Sequence, residues 1–346
     1  MRRIVAAAVL AAIAVPGFAQ AAPTKSPAKP KPFGSRVEAI AWMEGYRPKP
    51  EPLRMPEAIR AFSKAGALRD PEGAGFAVGF AAGVLGANPR DAERLIEHML
   101  PLPDGDQWLA VRALAYSGLP AWQSIMARLT HRLPARRAMI DRYLTGELPT
   151  LGKIELDKSP TFLETVKAQF QKPDKRPRTG YADNPELLDT LWGVYFATGD
   201  YKPLWRIMTL LPWSAERDDT ARLAAGSSAK LTLANNAARY PDILATLKAM
   251  APYQEQAVAA ALADVIAAAE SGETGQVRKA QLAAMEELRR KGPGRQRDMK
   301  LWGHVGQGAI ALGCIAAASV SLTALGLPCV IGGAVSSAAI NYMASQ

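Results

Sequence analysis

The sequence predicts an all-α protein: an irregular array of helical hairpins in the manner of an α-solenoid, closed by an apolar C-terminal helical hairpin. Three observations carry this. Apolar residues recur at helical spacing in every informative segment, and no run of alternating Val, Ile and Thr marks a sheet. Four segments share one grammar of apolar helix, turn and amphipathic helix. The last 46 residues, Leu301 to Gln346, contain no Asp, Glu, Lys or Arg, yet hold both cysteines of the chain.

The N-terminus, "MRRIVAAAVLAAIAVPGFAQAAP", has a basic start at Arg2 and Arg3 and an apolar run from Ile4 to Val15. Pro16 and Gly17 break the run, and Ala19-Gln20-Ala21 is a small-x-small cleavage pattern, so residues 1–21 are expected to be a secretory signal peptide. The run is too short for a hydrocarbon core of about 30 Å. No cysteine follows it for lipoprotein processing. A periplasmic or secreted chain of about 325 residues is the expectation, enough for one large domain or two ordinary ones. Its formal charge falls from +10 to +8 with Arg2 and Arg3 removed. That balance suits an acidic protein, cell wall or anionic lipid surface rather than nucleic acid.

Residues 22–55 read as a Pro/Lys-rich extended lead carrying one short capped helix, "SRVEAIAWMEGY". A first helical half is expected over 56–170. It starts with a helix near Glu57–Lys64 and continues with "FAAGVLGANPRDAERLIEHMLP" and "LAVRALAYSGLPAWQSIMARL". A second half over 186–300 contains "LLDTLWGVYFATGDYKPLWRIMTLLP" and "LTLANNAARYPDILATLKAMAP". The turns fall near Asn88, Gly118, Gly199 and Pro241, and the gap of 81 residues between the middle two has room for a further degenerate copy. A single hairpin cannot bury its apolar stripe, so neighbours must share a core. Trp108, Trp122, Trp192, Trp205 and Trp213 lie in or beside the hairpins and are expected to be core.

The third copy, about residues 187–211, resembles a tetratricopeptide hairpin. Trp192-Gly193, Phe196 and "TGDYKPL" follow that family's order of large residue, glycine, aromatic and turn. The resemblance implies stacked helix pairs. The copy departs from the family at Trp205, where a small residue normally lets the helices approach, and the chain lacks the family's period of about 34 residues.

Between the halves, "QKPDKRPRTGYADNP" at 171–185 is a basic, Pro-rich loop. Its Lys172, Lys175, Arg176 and Arg178 are candidate partner-binding residues, since exposed loops often carry function. After the fourth hairpin, "QEQAVAAALADVIAAAE" and "TGQVRKAQLAAMEELRRK" read as two longer helices joined by "SGETG". A basic run from Arg289 to Lys300 leads into the tail at 301–346.

Three readings of the tail stand side by side. Cys314 and Cys329, alone in an exported chain, suit a disulfide that staples two short helices. Closing that loop contributes about 3 kcal/mol. A continuous span from Val305 to Leu327 instead places the two cysteines about 22 Å apart, beyond the roughly 7 Å a disulfide tolerates. Gly313, Ala317 and Ser321 suit close packing of such a span in lipid, but the basic run then lies on the exported side, against the positive-inside bias. A tail that switches between packed and membrane-inserted forms is the third reading, with residues 289–346 as a peripheral contact for anionic lipid.

Signatures of chemistry are sparse. His98, His131 and His304 are the only histidines, without zinc-site spacing, and His98 and His131 read as surface residues. "SSAK" gives Ser227 and Lys230 the spacing of a serine nucleophile and lysine base one helical turn apart, without the companion motifs of penicillin-recognising enzymes. "GQGAIA" from Gly306 imitates a dinucleotide turn but follows no strand, so no cofactor is expected. The functional expectation is an exported, non-catalytic protein that binds or scaffolds another envelope component. The alternatives are a membrane-active protein using its tail, and an envelope hydrolase whose visible candidates are Ser227 and Lys230.

Overall fold

A computed structural model describes residues 32–154 and 186–280 apart from 101, 218, 219 and 278, together with residue 283. All regular structure among these is helical. The leader, the basic loop, both cysteines, His304 and the uncharged tail lie outside the described residues.

The chain enters at α1 (Arg36–Glu44). Ser35 caps it, its hydroxyl accepting from the Glu38 N–H at 3.1 Å, while the Glu38 carboxylate reaches back to the Gly34 N–H at 2.7 Å. The two bonds satisfy amide hydrogens that a helix start leaves over. α2 (Met55–Lys64) has Pro56 in its first turn, where a missing N–H costs nothing, and buries Met55, Ala58, Ile59 and Phe62.

α3 (Gly75–Ala87) is apolar all round and buried from Gly75 to Leu85. A helix with no polar face must be covered on every side. Its covers are the first helices of the later hairpins, α5 (Trp108–Tyr116) and α8 (Leu187–Thr198). Gly75, Gly79 and Gly83 lie back to back with Glu186, Thr190 and Ala197 in turn, so the numbering climbs together and α3 and α8 run parallel. Gly193 returns the contact against Phe76 and Phe80. At the other flank Gly86 backs onto the Ser117 carbonyl at the end of α5. α3 therefore lies between α5 and α8, and the spatial order of the first helices is not their chain order.

The second helices form an outer layer. α4 (Ala92–Met99) buries Ala92, Leu95, Ile96 and Met99; α6 (Trp122–Leu129) buries Ile125, Met126 and Leu129; α9 (Tyr201–Met208) buries Pro203, Leu204, Ile207 and Met208. Each buries one side only, α4 at i, i+3, i+4 and i+7. α4 and the α6 region are tied by Arg128 on Glu93, at 2.8 Å, and Arg132 on Glu97. The turns lie where the sequence places them. Asn88 caps α3 through its side-chain amide on the Val84 carbonyl, Gly118 and Gly199 take left-handed backbone, and Pro241 begins α11 (Pro241–Met250).

α7 (Arg137–Leu144) occupies the long middle gap, where the sequence leaves room for a further copy, and packs on α5 and α6. One feature differs from the sequence reading. α10 runs from Thr220 to Arg239, well before the helix expected at Leu231. The added turns contain "AGSSA", a composition that favours loops, but Gly226 lets the helix lie directly on Trp213 and Ser214, and tertiary packing overrides the weak propensity. α12 (Gln256–Ser271) ends as expected on a left-handed glycine, Gly272.

Candidate functional site

Ser227 and Lys230 do lie one turn apart on α10. Ser227 has no exposed surface, and the Lys230 ammonium is 2.7 Å from Asp264 Oδ2 of α12. His98 and His131 are exposed, as expected for surface residues. Lys172, Lys175, Arg176 and Arg178 lie outside the described residues, as do Cys314 and Cys329. Among the described residues, no group of three or more His, Cys, Asp and Glu could hold a metal ion, and no helix is long and apolar enough to cross a membrane.

One of the five tryptophans corrects the sequence reading. Trp108 and Trp192 are core, and Trp122 and Trp213 pack at its edge. Trp205 is 38% exposed. It projects from the outer face of α9, so it does not wedge the hairpin apart as its departure from the tetratricopeptide pattern implied. Leu204 and Ile207 fill the inter-helix position instead. Tyr201, one turn earlier on the same face, is 55% exposed. Two large aromatics are thus displayed together on a helix whose other face is fully engaged. Asp200 starts that helix by accepting from the Lys202 N–H at 3.0 Å. Arg206 anchors it to the end of the first half, donating to the Leu151 carbonyl at 3.0 Å and the Ile154 carbonyl at 2.6 Å.

Two polar clusters join distant elements, the first buried and the second partly open to solvent. In the first, Arg112 of α5 donates to Glu186 Oε1 at 2.9 Å and stacks over Trp108 at 4.9 Å. Tyr116 and Tyr143 meet edge to face beside it. Burial works against the Arg112 charge, but Tyr143 and Glu186 more than offset it, and its pKa is raised. Burial also raises both phenols. Glu186 Oε2 has no hydrogen-bond partner among the described residues.

In the second cluster, the loop after α1 meets the end of α8 and the α10–α11 junction. Arg47 donates to Tyr195 Oη at 2.7 Å and pairs with Asp242. Its guanidinium stacks over Tyr195 at 4.5 Å and lies near Phe196 and Tyr240. Three residues earlier, Glu44 pairs with Arg239 at 3.2 Å. Burial pushes the Glu44 carboxyl up to about 6, and burial with the Glu44 charge pushes the Tyr240 phenol up to about 12.

Both clusters consume their charges in pairs that join distant elements. They do not converge on one reacting position, which a catalytic constellation requires. One residue signal is present in sequence: Arg112 is a charge inside an otherwise apolar helix. Its partner Glu186 lies 74 positions away and the pairs of the second cluster span 195, so no local pattern names them. No protein-family model, curated protein or solved structure matches this chain.

Proposed function

We propose that this chain is an exported, non-catalytic helical protein that binds or scaffolds another component of the cell envelope. The observation that carries the reading is the Tyr201–Trp205 pair on the outer face of α9. Aromatic residues of these types dominate binding energy at protein interfaces, and here they stand exposed one turn apart on a helix braced by Arg206. Lys202 lies in the same exposed turn. Together with Lys172, Lys175, Arg176 and Arg178 of the basic loop it favours an acidic partner. The leader at residues 1–21 supports export.

The test is affinity capture from envelope extract with the mature protein, the Tyr201→Ser/Trp205→Ser variant and a variant with the four loop charges reversed. The expected result is a component held by the parent chain and lost from the α9 variant. The melting temperature should stay within a degree or two, because exposed positions away from caps and cores change stability by about 0.5 kcal/mol or less. Equal capture by both variants overturns the reading. The uncharged tail supports a second one, a membrane-active protein. Flotation of the mature protein with anionic vesicles, lost on deleting residues 301–346, supports that alternative against the first.

A further inference from the structure

The contact between Glu44 and Arg239 joins two helix C-termini. Glu44 is the last residue of α1 and Arg239 the last of α10. Each end carries the partial negative charge of its unpaired carbonyls, which favours cations and disfavours carboxylates. Arg239 is well placed in that field, and Glu44 is not. The Glu44 side chain is also only 5% exposed, whereas that of Arg239 is 41% exposed. A carboxylate in this position gives up its water for one partly solvated cation.

Arg239 and Tyr240 both favour the charged form of Glu44, but burial outweighs them. Tyr240 lies beside Glu44, its phenol itself pushed up by burial and by the Glu44 charge. Arg47, on the loop after α1, is committed to Asp242 at the start of α11 and to Tyr195 of α8. The two pairs form a key of alternating sign: acid then base at 44 and 47, base then acid at 239 and 242. Both bonds close a separation of 195 residues. They tie the start of the described chain to the junction between α10 and α11.

We propose that this key is a proton-operated latch: Glu44 gains a proton when the C-terminus of α1 is docked on the α10–α11 junction and loses it when the contact opens to water. The latch tightens in mild acid and loosens toward neutral and alkaline pH. The sign follows from linkage. The carboxyl titrates at about 6 when docked, against an ordinary 4.5 when hydrated. The docked state therefore holds more protons between those values, and its advantage is full below the lower value and lost as pH rises through the upper one. Docking gains about eightfold between pH 7.5 and pH 5. An ordinary surface ion pair behaves oppositely, weakening as its carboxylate is protonated.

Hydrogen exchange of the full chain, corrected for the intrinsic pH dependence of exchange, reads the opening directly. Protection of amides near 44–47 and 239–243 should rise about eightfold from pH 7.5 to pH 5. Glu44→Gln should remove that rise and be at least as protected as the parent at pH 7.5, because a neutral amide keeps the shape without the buried charge. Arg239→Gln removes the cation that favours the charged form and should move the rise to higher pH, which keeps the latch testable if the first variant folds poorly. A rise that survives in Glu44→Gln overturns the latch. So does a Glu44→Gln protein less protected than the parent at pH 7.5 that has also lost all pH dependence, since that is the behaviour of a stabilising ion pair.

Discussion

Arg112 is the one charged residue of α5, and its environment makes it costly to lose. Its guanidinium is 2.9 Å from Glu186 Oε1, and Glu186 is 3% exposed. Arg112→Met leaves that carboxylate buried without a cation, and the expected loss is about 3–5 kcal/mol of stability. Replacing both partners, Arg112→Met with Glu186→Leu, should recover most of it, since two buried charges removed together cost far less than one removed alone. Chemical denaturation of the two single variants and the double variant measures the coupling. An Arg112→Met protein as stable as the parent contradicts the structural role of the pair. The sequence shows Arg112 alone among apolar residues but does not name its partner, Glu186, 74 residues on, because that pairing depends on how α5 and α8 both pack on α3.

At the scale of elements, α3 and α8 are held by backbone contact where a side chain would stand. A methyl group at Gly79 overlaps the Thr190 carbonyl, and one at Gly193 overlaps the Phe76 carbonyl and the Phe80 amide. Gly79→Ala raises intrinsic helix propensity, worth about 1 kcal/mol in its favour. It should nevertheless destabilise by about 2–3 kcal/mol net, because two helix backbones must separate along a packed seam. Gly193→Ala should behave alike, and the double variant should cost less than the sum, since one separation relieves both clashes. Gly152→Ala is the control: nothing approaches that position within 4 Å and its backbone is ordinary, so little change is expected. Thermal melts of the four variants decide the matter, and a neutral Gly79→Ala contradicts the close parallel packing. The four-residue spacing of Gly75, Gly79 and Gly83 is legible in the sequence, while its partner is not, because α8 lies across a connection of about a hundred residues.

For the whole molecule, tyrosines report how the helices close on one another. Burial raises the phenols of Tyr46 and Tyr240 to about 12 and also raises those of Tyr116, Tyr143 and Tyr195. A phenol with a raised folded-state pKa stabilises the fold below its unfolded value near 10, and that contribution disappears as pH rises through the folded value. Stability should therefore be flat through neutral pH on this account and fall above about pH 10. Followed at 295 nm, these five of the nine tyrosines should stay protonated at pH 11 and ionise in one step with the loss of helical circular dichroism. Smooth ionisation of all nine before any loss of helix contradicts the burial of Tyr116 in α5, Tyr143 in α7 and Tyr195 in α8.

Helix class, most turns and the division between buried and outer helices were determined by the sequence itself. The reason is physical: an apolar run without a polar face must be covered, a stripe at i, i+3, i+4 and i+7 covers on one side only, and Gly, Asn and Pro stop helices through their own backbone chemistry. Tertiary structure alone decided which helices meet. It placed α3 between α5 and α8, turned Trp205 outward, extended α10 through "AGSSA" against Trp213, and joined Glu44 and Arg47 to Arg239 and Asp242. Each of those outcomes rests on contacts between residues far apart in the chain, where the fit of two surfaces outweighs the fraction of a kcal/mol per residue that local propensity supplies.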